Sequence, residues 1–281
     1  MPELPEVETI VRGLAPVMEG QRISRIWCGD KGLRIPFPED LAQNITKQQV
    51  MKVDRRAKYI LCYLENERIL AIHLGMSGRI RILSHHSNAP LEKHDHFEMV
   101  MEDGSRIILN DARRFGMVFD FPVVELPVHP RFQHLGPEPL SEDFNPAYLM
   151  NVLVRKGSDV KPVIMDQQLV VGVGNIYACE ALYRARISPL RKANALDVDE
   201  AALLVKCIKD VLSEAISAGG TTLRDHRTVE GGLGYFQQNL SVYGRENLAC
   251  PICVCDHMEE CAIRRIVQVG RSTFYCPVIQ V

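Results

Sequence analysis

The sequence predicts an α+β protein: a helix and a β-sandwich, followed by a helical segment and a cysteine-rich hairpin. Apolar residues recur at helical spacing within residues 5–19, and this stretch ends at Gly20. Short apolar runs separated by polar turns fill residues 22–122, which is typical of an antiparallel sandwich. Five of the nine cysteines lie in the last 32 residues. These three observations set the order of the predicted domains.

The strongest local signal within the predicted sandwich is a β-hairpin. Runs 97–101 and 106–109 are apolar, and Asp103-Gly104 lies between them. An Asp-Gly pair between two such runs favours a tight hairpin turn, because both residues tolerate positive φ angles. We therefore predict two adjacent antiparallel strands here.

Four segments follow from these patterns. The sandwich is predicted at 1–122, a proline-rich interdomain connection at 123–146, a helical domain at 147–244 and a terminal hairpin at 245–281. The clearest helix of the third segment carries one apolar stripe between residues 198 and 218 and ends at a Gly-Gly pair.

Composition limits the classes of function. The chain has 281 residues, of which 46% are hydrophobic, enough for two cores. Its net charge of −2 gives no general affinity for nucleic acid, so any such surface must be a local patch. Residues 262–281, with three arginines and no acid, are one candidate. No stretch is apolar enough to cross a membrane and no export signal is present, which predicts a cytoplasmic protein without a disulfide framework.

The start of the chain carries a candidate nucleophile. Removal of Met1 would leave Pro2 as a secondary amine, and an α-amino group titrates near pH ~8, so part of it is nucleophilic at neutral pH. Glu3 is suitably placed to move protons for that amine. The alternative is a purely structural helix start, with proline and carboxylates in the first turn.

The clustered cysteines predict a metal site. Cys250, Cys253 and Cys276 provide three of the four ligands of a tetrahedral zinc site, at hairpin spacing. A second C-x-x-C motif would end at position 279, which is Ile279. Candidate replacements for the fourth ligand are Cys255, His257 and Cys261. A hairpin without metal is the alternative.

Three further motifs suit an anionic, stacked ligand. The glycine-rich turn in 170–180 leads into a helix expected near Asn175, whose free N–H groups would face a phosphate. Arg113-Arg114-Phe115 combines two cations with a ring, and Met76 lies on a second glycine-flanked turn. Ordinary core positions are the alternative for Phe115 and Met76. Lys58 is either a solvated strand lysine or a group that points into a cleft.

Together these motifs resemble the bacterial formamidopyrimidine-DNA glycosylases. The resemblance spans nearly the whole chain in the family's order. It rests on Pro2-Glu-Leu-Pro-Glu6, Arg55-Arg-Ala-Lys58, His73-Leu-Gly-Met-Ser-Gly78, Lys93-His-Asp-His96, Arg113-Arg-Phe-Gly116, Val171-Gly-Val-Gly-Asn-Ile-Tyr177 and Arg271-Ser-Thr-Phe-Tyr-Cys276.

The resemblance implies a catalytic β-sandwich with an N-terminal helix, a helix–two-turn–helix DNA-binding domain and a zinc-finger-like hairpin. The implied enzyme excises oxidised purines, 8-oxoguanine and formamidopyrimidines, from DNA and nicks the strand by β,δ-elimination. Pro2 would form the Schiff base and Glu3 would act as general acid and base. Lys58 would donate a proton during β-elimination, and Arg271 would serve δ-elimination and phosphate binding.

The resemblance also implies partners and contacts. The partner is damaged double-stranded DNA, bound by a monomer that holds one zinc ion, with activity at the bacterial nucleoid. Residues 221–236 would close over the flipped purine. Met76, Arg113 and Phe115 would fill the space left by the flipped base. The remaining implied DNA contacts are Glu6, His94, Arg114, Lys161 and Asn175.

Two departures from the family pattern are visible. Ala112 replaces a proline before Arg113, and Ile279 replaces the fourth zinc cysteine, which puts metal affinity and the positioning of Arg271 in question. Two alternative functions follow. The first is an endonuclease VIII-type glycosylase for oxidised pyrimidines, which Leu4 disfavours because that family usually has glycine there. The second is a damaged-DNA-binding protein without catalysis.

Overall fold

The computed structural model describes residues 2–87, 89–220, 236–253 and 261–281. The chain divides into two compact units. The first unit comprises residues 1–133 and 218–237, and the second comprises residues 134–217 and 238–281. The proline-rich segment predicted as a connection, 123–146, is thus shared between the two units. Its first part belongs to the sandwich and its second part to the helical unit.

The first unit begins with helix α1, Leu4–Met18, close to the predicted bounds. Within the described residues of this unit, eight strands and a short helix α2, Leu41–Ile45, follow. One antiparallel sheet has the order β1-β6-β7-β5, with β1 at Ile23–Cys28, β5 at Arg79–Leu83, β6 at Asp95–Met101 and β7 at Arg106–Asn110. The other has the order β2-β3-β4-β8, with β2 at Val50–Arg56, β3 at Tyr59–Leu64, β4 at Arg68–His73 and β8 at Met117–Pro122.

The two sheets and α1 share one apolar core, which confirms the predicted sandwich. From α1, Val7 and Leu14 are fully buried. Ile60 of one sheet and Met99 of the other are also fully buried in the same cluster. Removing such side chains from water contributes about 25 cal/mol per Å² of apolar surface. The predicted hairpin is also confirmed, since β6 and β7 pair antiparallel through Met99 and Ile107.

The second unit contains four α-helices in its described part: α3, Pro146–Leu153; α4, Val160–Ile164; α5, Asn175–Arg184; and α6, Val198–Ser217. The last matches the predicted helix, and its apolar stripe is buried. Asn145 caps α3 by accepting a hydrogen bond from the Tyr148 N–H at 3.0 Å. Tyr148 in turn donates to the Leu169 carbonyl at 2.7 Å, so α3 is fastened to the loop before α5.

A two-stranded hairpin ends the second unit. Strands β9, Arg264–Gln268, and β10, Arg271–Tyr275, pair antiparallel, with Arg271 opposite Gln268. A small cluster beneath it joins Phe274 and Cys276 to Tyr183 of α5. The hairpin therefore shares a core with the helices of its own unit.

The sequence predicts neither a disulfide framework nor a membrane-spanning segment. No disulfide joins any two of the eight cysteines within the described ranges. None of the helices in those ranges combines the length and the apolar character needed to span a bilayer.

Candidate active site and nucleic-acid interface

The predicted catalytic pair lies directly before the first turn of α1. Pro2 and Glu3 are buried, and Glu3 is the N-cap of the helix. The Glu3 N–H donates to Oε2 of Glu6 at 2.8 Å, which satisfies one of the N–H groups that a helix start leaves without a partner. The segment is therefore a capped helix start, and this structure is compatible with chemistry at Pro2. The cap fixes the backbone that carries both residues.

Glu6 has a second neighbour in the same unit, Gly220. Gly220 has φ +80°, and a Cβ atom built on it would lie 3.1 Å from Oε1 of Glu6 and 3.4 Å from Cα of Glu6. Only glycine combines that backbone angle with so close an approach. The predicted closing loop, 221–236, follows directly, and residues 221–235 lie outside the described ranges.

Lys58 lies in the two-residue turn between β2 and β3, where Arg56 pairs with Tyr59. It is only 8% exposed, so the reading as a solvated strand lysine is wrong. Arg55 connects this turn to α1: its Nη1 donates to the Ala57 carbonyl at 2.9 Å, and its Nε lies 3.1 Å from a carboxylate oxygen of Glu8. The position of Lys58 is thereby tied to the helix that carries Pro2.

Met76, Arg113 and Phe115 lie on two turns of the sandwich and are exposed. Met76 is 40% and Phe115 is 41% exposed, so neither is a core residue. The Arg113 guanidinium carbon lies 4.8 Å from the centre of the Phe115 ring, a cation–π arrangement. An exposed ring, a thioether and a guanidinium therefore form one patch, a chemistry suited to stacked bases and phosphates.

His94 and Arg114 lie on either side of Asp111. The His94 carbonyl accepts a hydrogen bond from the Asp111 N–H at 2.8 Å, and the Arg114 N–H donates to the Asp111 carbonyl at 3.2 Å. His94 is half-buried and Arg114 is exposed, with φ +52°. Asp111 itself is fully buried and was not among the predicted site residues.

In the second unit, Lys161 and Asn175 meet at the N-terminus of α5, which begins at the predicted residue. Lys161 is only 1% exposed. Its Nζ donates to Oδ1 of Asn175 at 2.6 Å and to Oγ1 of Thr273 at 2.7 Å. The Asn175 amide donates to the Ser272 carbonyl at 2.8 Å. Both residues therefore hold the strand that begins at Arg271.

Arg271 is exposed at the start of β10. It lines a cavity of about 160 Å³ together with Lys161, Gln268 and other residues of the same unit. Gln268 accepts a hydrogen bond from the Thr273 hydroxyl at 2.9 Å and donates to the Pro189 carbonyl at 3.0 Å. A chain of buried hydrogen bonds thus fixes the base of the hairpin, while two cations line the cavity.

The predicted cysteines converge. The sulfur atoms of Cys250, Cys253 and Cys276 lie within 4.8 Å of one another, so these thiols fit three positions of a metal site. Ile279 is half-buried against the same cluster. Cys261 is buried there as well, but it is not part of the three-sulfur group. The other candidate ligands, Cys255 and His257, lie outside the described residues.

The environment of Cys250 favours its thiolate. Burial raises the pKa of Cys250, but hydrogen bonds from the Tyr183 hydroxyl and from the N–H groups of Cys253 and Ile252 outweigh it and lower the pKa to about 7. The Tyr183 oxygen lies 3.2 Å from the sulfur. A thiolate is the form that binds a metal ion, so the site is prepared for one near neutral pH.

Three supporting residues were not among the predicted site residues. Arg55, Asp111 and Thr273 act through hydrogen bonds to residues distant in the chain or to turns. The one available clue is at Asp111, a carboxylate directly after the buried strand β7. A carboxylate at such a position must find donors when it is buried.

Comparison with protein families gives two matches. Residues 1–118 match the model of the formamidopyrimidine-DNA glycosylase N-terminal domain, and residues 135–227 match the model of the formamidopyrimidine-DNA glycosylase H2TH domain. The second match confirms the predicted helix–two-turn–helix domain. Together the two models cover most of the chain.

Similar proteins are known over the full length. The chain is 49% identical to the formamidopyrimidine-DNA glycosylase of Jannaschia sp. strain CCS1, over 100% of both chains. It is 38% identical to the MutM (Fpg) protein of Thermus thermophilus, with a TM-score of 0.87 over 99% of this chain and 98% of that one. A Lactococcus lactis Fpg mutant in complex with a Fapy-dG-containing DNA is 32% identical, with a TM-score of 0.90 over 99% of each chain.

His73, at the end of β4 beside the Met76 turn, generates a prediction about pH. Its Nδ1 accepts from the Gly75 N–H at 3.1 Å, and its ring lies 4.7 Å from that of Tyr59. Burial, assisted by the nearby positive charges of Lys58, Arg34 and Arg131, lowers the pKa of His73 to about 4. The folded unit therefore holds this imidazole neutral.

We expect the free energy of unfolding to fall as the pH drops from about 6.5 to 4, because the unfolded chain takes up a proton that folded His73 does not. The loss assigned to His73 is about 3 kcal/mol, at about 1.4 kcal/mol per pKa unit. Urea titrations across this range should show a flatter pH dependence for His73→Gln. His134→Gln, at an exposed histidine, is the control. An unchanged slope for His73→Gln would contradict the assignment.

Proposed function

Because the chain belongs to the formamidopyrimidine-DNA glycosylase family, we propose that it excises oxidised purines, 8-oxoguanine and formamidopyrimidines, from double-stranded DNA and nicks the strand at the resulting site. The observation that carries the proposal is the start of α1, where Pro2 and Glu3 are buried together on a capped helix end. The Fapy-dG in the DNA bound by the similar Lactococcus lactis protein supports the substrate class.

Pro2 is the proposed nucleophile. Once Met1 is removed, its nitrogen attacks C1′ of the damaged nucleotide. A C–N bond forms, the bond from C1′ to the purine breaks, and the purine leaves with the proton that the amine gives up. The sugar ring then opens: the C1′–O4′ bond breaks, O4′ takes up a proton, and the sugar is held as a cationic Schiff base. Glu3 donates and accepts the protons of this step, and its burial beside Pro2 supports that role.

Lys58 and Arg271 are the proposed residues for strand cleavage. Lys58 donates a proton during β-elimination, which breaks the C–O bond on the 3′ side of the sugar. Arg271 serves δ-elimination on the 5′ side and binds a phosphate. The products are the freed sugar fragment and a one-nucleotide gap with phosphates at both ends. The buried ammonium of Lys58 and the exposed guanidinium of Arg271 suit these two roles.

The proposed DNA contacts follow from membership of the family. A base must leave the duplex stack before an enzyme can act on its glycosidic bond. Met76, Arg113 and Phe115 form the exposed patch proposed to fill the resulting space. Glu6 is proposed to lie near the extruded base. The other proposed DNA contacts are His94, Arg114, Lys161 and Asn175.

A structural zinc ion is proposed for the hairpin. Cys250, Cys253 and Cys276 would hold it, and three thiols within 4.8 Å of one another support this. When bound, the ion would crosslink the hairpin to the cluster beneath it, which would stabilise the strand that carries Arg271.

Borohydride trapping tests the nucleophile. Reduction of the Schiff base should link the unaltered chain covalently to a duplex with 8-oxoguanine opposite cytosine. Pro2→Gly should lower the yield at least about tenfold, because it replaces the secondary amine that carries the reaction. Mass spectrometry should find Pro2 as the first residue of the active protein.

The control for Pro2→Gly is Pro16→Gly, the same change at an exposed site near the other end of α1, which should leave trapping unchanged. Full trapping by Pro2→Gly, or full activity of protein that retains Met1, would refute the assignment. A chain that releases thymine glycol but not 8-oxoguanine would instead belong with the pyrimidine-specific enzymes. Tight lesion binding with no adduct would indicate a non-catalytic protein.

Arg271→Ala should slow strand cleavage more than base release, by about tenfold in the ratio of the two rates, because a charge-assisted contact acts at the second step only. Release of the labelled purine and formation of the nicked strand are measured in the same reaction. Arg155→Ala, at an exposed arginine of the same unit, is the control. Equal losses in both rates would contradict a separate role in elimination.

The purified chain should contain one zinc ion, as measured by elemental analysis. Cys276→Ser should lose the ion, because it removes a buried thiolate ligand. Ile279→Cys should retain zinc against about tenfold more chelator than the unaltered chain, since it adds a thiolate beside the other three. Cys28→Ser, in the sandwich, is the control. Metal content clearly below one ion per chain would show that the Ile279 site does not retain zinc.

A further inference from the structure

We propose that Asp111 is a positioning residue that holds two turns of the sandwich as one body, so that Met76, Arg113 and Phe115 enter the DNA together. The two turns are the 74–78 turn, which carries Met76, and the 111–116 turn, which carries Arg113 and Phe115. The inference rests on the function proposed above for these three side chains. The new point is that Asp111 holds these three side chains in one fixed arrangement.

The Asp111 carboxylate is the direct link. It is fully buried and has donors from both turns. Its Oδ1 accepts from the Ser77 hydroxyl at 2.5 Å and from the Arg113 N–H at 3.3 Å. Its Oδ2 accepts from the Gly116 N–H at 2.7 Å. A buried carboxylate is stable only when hydrogen-bonded, so each of these donors is held in place.

The Asp111 backbone anchors this link to the sheet. Its N–H donates to the His94 carbonyl at 2.8 Å, just before β6. Its carbonyl lies 3.1 Å from Nε2 of His96, the second residue of β6. Asp111 follows β7 directly, so it is fixed to two neighbouring strands. The two turns therefore project from a rigid support.

The turns also touch each other without Asp111. The Arg113 N–H donates to Oγ of Ser77 at 3.0 Å, in addition to its contact with the carboxylate. A Cβ atom built on Gly75 would lie 2.3 Å from the carbonyl carbon of Phe115, and Gly75 has φ +62°. The two backbones are thus in direct contact, and a shift of one turn must displace the other.

The two turns therefore combine a rigid, hydrogen-bonded backbone with exposed side chains. The links beneath are short and mostly buried, whereas Met76 and Phe115 are exposed above them. Side chains that must replace a base in the stack lose less freedom on binding if their backbone is already fixed. Asp111 is therefore expected to matter for binding duplex DNA with a missing base, and not for bond cleavage at the sugar.

The test compares Asp111→Asn with the unaltered chain on two DNAs. The first is a duplex containing a tetrahydrofuran abasic analogue, and its Kd is measured by fluorescence anisotropy. The second is a single-stranded oligonucleotide with an abasic site, and its reaction is measured by borohydride trapping. This DNA has no opposite strand, so there is no space in a duplex for the three side chains to fill. We expect Asp111→Asn to raise the duplex Kd about tenfold or more. Asparagine keeps only one side-chain oxygen, and its amide nitrogen cannot accept the hydrogen bond from whichever of Ser77 and Gly116 it faces. The single-stranded trapping rate should change less than about twofold.

A double-mutant cycle shows whether Asp111 acts through Met76 and Phe115. In a Met76→Ala, Phe115→Ala background, Asp111→Asn should raise the duplex Kd by less than about threefold, because two of the three side chains that it positions have been removed. Ser77→Ala, which deletes one donor and keeps the carboxylate, should give an intermediate loss and serves as the milder variant if Asp111→Asn folds poorly.

Asp120→Asn is the matched control. The Asp120 side chain is 1% exposed and pairs with Arg68 at 2.6 Å, on β8 of the same unit. It should lower the thermal midpoint without changing the duplex Kd. The proposal is wrong if Asp111→Asn binds duplex like Asp120→Asn, or if its loss persists in full in the double-alanine background. If the unaltered chain is not trapped on the single-stranded abasic DNA, the proposed function fails instead.

Discussion

Burial of the apolar face of α1 in the core shared by the two sheets is the constraint on which the proposed chemistry depends. Val7 and Leu14 are fully buried there, so the helix cannot slide or rotate without exposing them. Pro2 and Glu3 precede the first turn of the same helix. A nucleophile at the end of a chain would otherwise be among its most mobile atoms. Packing of α1 in the hydrophobic core thus fixes the position of Pro2, which would otherwise be mobile.

Buried polar groups that are hydrogen-bonded or ion-paired provide a second set of constraints. In the first unit, Glu6 receives the Glu3 N–H, and Arg55 connects the Lys58 turn to Glu8. In the second unit, Lys161 donates to Asn175 and Thr273 beneath the hairpin. Each of these groups would be costly to bury alone, so each enforces one local geometry. Residues proposed to act on DNA are therefore held in place by buried hydrogen bonds and ion pairs.

The sequence alone was sufficient to predict elements that show a local pattern, either a periodic apolar face or a turn motif. Helical periodicity located α1 and α6 within a residue or so, and the Asp103-Gly104 pair located the β6–β7 hairpin. These patterns are local, since each element shows its buried face in its own spacing. The order of the motifs was enough to identify the family.

The sequence was insufficient for contacts made across the fold. Lys58 was expected on a strand and lies in a turn, because an apolar run does not show where its hairpin closes. Met76 and Phe115 had a core alternative that their exposure excludes. Asp111 went unnoticed because its donors come from separate turns. Such hydrogen bonds depend on which loops meet in space, and periodicity carries no information about that.

The close approach of Gly220 to Glu6 has a genetic consequence. Any larger residue at position 220 must displace the carboxylate that accepts the Glu3 N–H, or else change its own backbone. A missense allele at this codon would then act on the amino-terminal helix, although about two hundred residues of chain separate the two sites. In a screen for loss of repair, such an allele would be grouped with changes at the first codons of the gene.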